Sequence, residues 1–132
     1  MAEISKEMKI VLIINLIVGL IYGIMYVFLP EGVYALNDSP YFDPHFWRLF
    51  GGAILAIAIV ALLGIIKGDW DHIKLFFLFA IIFLSITALL NITSIIYVTR
   101  STTNLIFHWL DNIVIIAMVI IDTFFYLREE KK

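Results

Sequence analysis

A chain of 132 residues holds one domain at most, and here 63% of the residues are hydrophobic against 15% charged, with a mean hydropathy of +1.03. A soluble domain this small cannot hide so much apolar surface, so the bilayer has to be its solvent. The formal charge of −2 makes no case for nucleic acid, and the absence of cysteine excludes disulfides, thiolate metal sites and thiol redox chemistry.

A short charged lead, MAEISKEMK, precedes a first apolar stretch at 10–29 that is interrupted only by Asn15 and two glycines. That length crosses a hydrocarbon core of roughly 30 Å. It shows no small-residue cleavage site of the signal-peptide kind, so it reads as a structural span. Pro30 ends it. Residues 30–44 are expected to form an outer loop without Lys or Arg, whose Tyr34, Tyr41 and Phe42 suit the headgroup zone as a partial cap. Asp38 adds to its acidity, and Asn37-Asp38-Ser39 matches a glycosylation sequon, which matters only in a eukaryotic secretory membrane.

Asp43-Pro44 reads as an N-cap followed by proline at the first helical position, opening a second span at 45–66. Gly52 and Ala56 form a small-xxx-small pair, which predicts a central, closely packed helix. The turn KGDWDHIK (67–74) leads into a third span at 75–98, whose Thr87, Asn91 and Ser94 make a polar stripe at i, i+4 and i+7. After the turn at 99–103 comes a fourth span at 104–127. The fold class expected is all-α, an integral membrane four-helix up-and-down bundle forming a single domain. Seven of the nine basic residues (Lys6, Lys9, Lys67, Lys74, Arg128, Lys131 and Lys132) fall on the side of the termini, and only Arg48 and Arg100 on the other. The positive-inside bias then places both termini in the cytoplasm. Heavy isoleucine usage points to a microbial plasma membrane.

The fourth span carries the polar residues around which a site is expected. His108, Asp111, Ile115, Met118 and Asp122 share one helical face, spaced 3, 4, 3 and 4. Ionisable residues within a span are costly and by default mark a functional site. By depth they sort into two levels. The outer level groups Arg48, His108 and Asp111 with Asn91, Ser94, Tyr22 and Tyr26, flanked by Trp47 and Trp109. Spans two and four are expected to meet there through an Arg48–Asp111 ion pair, either structural or ligand-binding, with His108 beside it. The inner level pairs Asn15 with Asp122. The histidines are too far apart to make a metal cluster, and no phosphate loop, nucleophile elbow or zinc-protease motif is present.

A first span ending in Leu29-Pro30, an outer loop and then FWRLFGGAILAIAIVALLG resemble small four-helix membrane proteins of the DoxX-like superfamily. Arg48, Gly51 and Gly52 occupy the places of that group's arginine and following glycines. The resemblance covers the first half in sequence and the second half in layout. It implies a four-helix bundle and, for the namesake branch, an association with quinone-linked oxidation in respiratory membranes.

Three functional classes follow. The chain is expected to be a non-catalytic accessory subunit or a binder of a small lipophile, with lipid or quinone as the only bound group envisaged. The alternatives are a proton-coupled carrier acting as a dimer through Asp111 and Asp122, and an intramembrane enzyme acting on a lipid, sterol or quinone with Asp111 or His108 as acid or base. The expected partners are membrane lipids, other membrane subunits or a second copy of the chain.

Overall fold

The computed structural model describes residues 3–37 and 42–131 and holds five helices in the order α1 Lys6–Phe28, α2 Pro30–Asn37, α3 Pro44–Lys67, α4 Trp70–Tyr97 and α5 Thr102–Glu130. Asp38, Ser39 and Tyr41 of the expected loop, the sequon's serine with them, lie outside the described residues. Four of the helices are long and apolar enough to cross a membrane, and only 17–28% of each apolar window is buried inside the protein. The remaining apolar surface, Leu75 and Ile66 among it, faces outward and needs lipid to cover it. The chain is an all-α, four-span membrane bundle.

The helices outrun the apolar stretches because capping residues, and not the hydrocarbon boundary, end them. Ser5 accepts from the Met8 amide at the head of α1, and Asp43 accepts from the His45 and Phe46 amides ahead of Pro44. Between α3 and α4 the turn shrinks to two residues. Gly68 takes a left-handed φ of 65° and Asp69 caps α4. Partial burial pushes the Asp69 carboxyl up, but the hydrogen bonds with His72 and the Asp71 amide outweigh it and hold this group below the usual carboxylate range. The expected loop after α1 is partly helix. Pro30, pre-set for a first helical position, starts the short α2 as soon as Leu29 leaves helical geometry.

Packing follows small residues. α1 lies tightly along α3 and α4 along α5, while approach between these two pairs is much sparser. A Cβ built on Gly19 would sit 2.9 Å from the Ala58 Cβ, one on Gly23 2.6 Å from Leu55, and one on Gly51 2.6 Å from the Tyr26 Cβ and 2.9 Å from the Val27 amide nitrogen. These glycines let the α1 and α3 backbones come together, as small residues do in lipid. The expectation for Gly52 and Ala56 is corrected. Both are exposed, nothing lies within 4 Å of a Cβ on Gly52, and the inward stripe of α3 is Gly51, Ala58, Ala61 and Gly64. Nor is α3 central, because its backbone does not approach α5 at all among the described residues.

The end of the bundle that carries the chain termini is closed. Ile4, Met8, Val11, Leu12, Ala61, Trp70, Ile73 and Phe77 form one buried cluster. Around it the Ser5 hydroxyl and amide donate to Glu129, Ile4 donates to the Gly68 carbonyl, and the Trp70 indole donates to Glu130 at 3.0 Å. At the opposite end α2 rests on α1, α3 and α5, with Val33 buried beneath it. Arg100 fastens it, donating to the Asn37 carbonyl at 3.1 Å and to the Ser94 carbonyl and hydroxyl at 2.7 and 2.6 Å. A guanidinium among helix-terminal carbonyls is favoured by the dipole there.

Gly51→Ala should force the α1–α3 seam apart and destabilise the protein by about 1–3 kcal/mol. Gly52→Ala, one residue away and with open space for its Cβ, should cost nothing and raise stability by up to about 1 kcal/mol. Thermal melts of the two variants in the same detergent check the contrast.

Candidate functional site

The sparse contact between the α1–α3 and α4–α5 pairs leaves space between them in the half of the bundle beneath α2. One cavity of about 110 Å³ touches all four spans, from Asn37 and Tyr26 at the α2 end down to Asn15 and Met118. A second, of about 280 Å³, lies between α1, α2 and α5, and the two adjoin through Tyr22, Tyr26, Asn37, Asp111 and Val114. Ile21, Phe107 and Leu110 on the rim of the larger one are about half exposed on the lipid-facing side.

Asp111 stands where the cavities join. α5 carries it roughly 14 Å along the helix axis from Thr102, at 1.5 Å per residue. The Asn91 side chain of α4 donates to its Oδ2 at 3.3 Å, and the Tyr22 phenol hydrogen-bonds to the same carboxylate. Oδ1 is buried and meets no hydrogen-bond donor among the described residues. Tyr26 is held by ring contacts with Trp47 at 5.6 Å and Phe50 at 5.2 Å, and Phe50 meets Phe83 of α4 at 6.3 Å. An aromatic wall therefore runs across α1, α3 and α4 above an apolar chamber.

The Arg48–Asp111 ion pair does not form among the described residues. Arg48 is exposed, lines neither cavity, and sits on α3, which occupies the diagonal position to α5. Depth along the bundle matched the two residues, but the ring order α1–α3–α4–α5 separates them, and Asn91 from the neighbouring α4 takes the carboxylate instead. His108 is buried on α5 and lines the larger cavity with Asp111. Ser94 belongs to the Arg100 clasp and not to the cavity.

Asn15 and Asp122 come together at the chamber's floor. The Asn15 amide donates to Asp122 Oδ1 at 2.8 Å and to the Val11 carbonyl at 3.0 Å. Asp122 is wholly buried, and its Oδ2 has no partner. Below this pair the apolar cluster around Met8, Leu12 and Phe77 begins. Asn112 was not assigned to either level, yet it is completely buried with neither amide atom partnered. Asn37, Phe50, Phe83 and Thr87 also line the chamber without having been singled out for it as a group. Of these only Thr87, in register with Asn91, carried a periodic signal. Among the described residues no group of three or more His, Asp or Glu is placed to hold a metal ion.

No protein-family model matches this chain, and neither the curated proteins nor the solved structures yield a match. The arrangement can do two things chemically. It can enclose an apolar body, and it can present one carboxylate with phenol and amide groups around it.

Asn15→Leu strands a buried carboxylate and should destabilise by about 1–3 kcal/mol, whereas Asn15→Leu combined with Asp122→Leu should regain much of the loss. Arg48→Gln, on an exposed side chain, should stay within about 0.5 kcal/mol of the parent. Reversible unfolding in mixed detergent micelles would read all three.

Proposed function

We propose that this chain is a non-catalytic membrane protein that binds a small lipophilic molecule in the chamber beneath α2. The observation that carries this reading is the pair of adjoining cavities, walled by all four spans and meeting at Asp111. Ligand sites are typically concave and mostly apolar, with a few polar groups that fix orientation. Here Asp111, Asn91, Tyr22 and Tyr26 supply the polar part, while Val18, Ile54, Ile57, Leu84 and Ile115 supply the rest.

The proposal includes orientation. Six of the eight described Lys and Arg residues lie towards the end of the bundle where α1 begins and α5 finishes, so that end is cytoplasmic and the chamber opens in the outer leaflet. A microbial plasma membrane is the setting we propose. The relation to DoxX-like proteins belongs to the same proposal. Its support is that Gly51, one of the residues carrying the resemblance, lies in the α1–α3 seam that shapes the chamber.

Ile115→Trp would fill the chamber from α5. The lipophile retained through gentle detergent extraction, read by native mass spectrometry, should then disappear or bind at least tenfold more weakly. Ile120→Trp, on the lipid-facing side of the same helix, should retain it. Retention by the Ile115 variant would show that the chamber is not the binding site.

A further inference from the structure

We infer that the molecule held in the chamber is an organic cation, its charge on Asp111 and its body against the aromatic wall. This deepens the binding reading and rests on it. Among the described residues Asp111 is the one carboxylate lining either cavity, and no Lys or Arg lines them. The two arginines in this half of the bundle are accounted for elsewhere, Arg48 exposed on α3 and Arg100 on the carbonyls that clamp α2. Among the described residues the other titratable side chains that line the chamber are His108, Tyr22 and Tyr26.

A carboxylate at this depth costs a few kcal/mol on insertion scales, and among the described residues no Lys or Arg is set against it. One neutral amide reaches Oδ2 at a long 3.3 Å and the neutral Tyr22 phenol hydrogen-bonds to the carboxylate, while Oδ1 meets no partner among the described residues. A ligand hydroxyl would satisfy Oδ1 but leave the charge uncompensated. A ligand carboxylate or phosphate would add repulsion in a low-dielectric setting. An ammonium or similar cation supplies both the missing donor and the missing charge. The surroundings suit it as well, since the aromatic rings of Tyr22, Tyr26, Phe50 and Phe83 line the chamber, and aromatic rings attract cations. The same features reject anions, so the site selects by exclusion as well as by attraction.

Two probes of nearly equal shape separate charge from size: benzyltrimethylammonium and neopentylbenzene, in which carbon replaces the ammonium nitrogen. In saturation-transfer NMR titrations on the detergent-purified protein, the cation should bind at least tenfold more tightly than the hydrocarbon. Asp111→Asn should abolish that preference while leaving neopentylbenzene binding in place, and Asp111→Glu should restore it. Equal binding of the two probes to the parent protein would overturn the cation assignment and leave the binding reading standing, and this comparison needs no variant. A preference that survives in Asp111→Asn would likewise overturn it. Failure of both probes to bind a parent protein whose melt shows it folded would overturn the binding reading and the cation assignment together.

Discussion

The approach of α1 to α3 sets the rest of the bundle. In water, helices associate because their apolar faces leave the solvent, but in lipid that driving force is gone and close backbone packing takes its place. Gly19, Gly23 and Gly51 allow that packing here, with Ala58 opposite Gly19. α4 and α5 form a second pair. Because each pair is satisfied within itself, the pairs have little reason to interdigitate everywhere. They close at one end, over bulky Met8, Trp70 and Phe77, and stand apart at the other. The chamber is thus a product of how the helices pair.

Polar groups then divide the chamber's length. At the floor, Asn15 reaches across from α1 to Asp122 on α5, a bridge between the two pairs just above the apolar cluster. Nearer α2, Asn91 reaches Asp111 within the α4–α5 pair. The first contact binds the halves together. Each contact leaves one carboxylate oxygen without a partner among the described residues, but of the two acids only Asp111 lines the space between the pairs. The two acidic residues share a helical face, yet their surroundings give them different work.

Much of this was legible in the sequence, and the failures have a common cause. The four spans could be read because hydrocarbon demands about 20 apolar residues per helix, a demand that composition alone reveals. Asn15 and Asp122 could be paired because depth is countable along a helix. What depth cannot supply is azimuth. Arg48 matched Asp111 in height but stands on the diagonally opposite helix, and Gly52 offered the right spacing on the wrong side of α3. In a soluble helix the apolar stripe would have disclosed the inward side. In a span that is apolar all round, the lipid-facing and protein-facing sides look alike.

The clasp of Arg100 on α2 has a consequence for traffic. With the cap tied to the end of α4 and the far end of the bundle sealed, the described residues leave a sideways way into the chamber, past the half-exposed Ile21, Phe107 and Leu110. An occupant would therefore arrive by diffusing in the plane of the bilayer, after partitioning into it from water. Its relevant concentration is the one in the leaflet, which for an amphiphile far exceeds the aqueous one. Modest intrinsic affinity would then suffice for full occupancy, and a change in lipid composition would regulate the site as surely as a change in the protein.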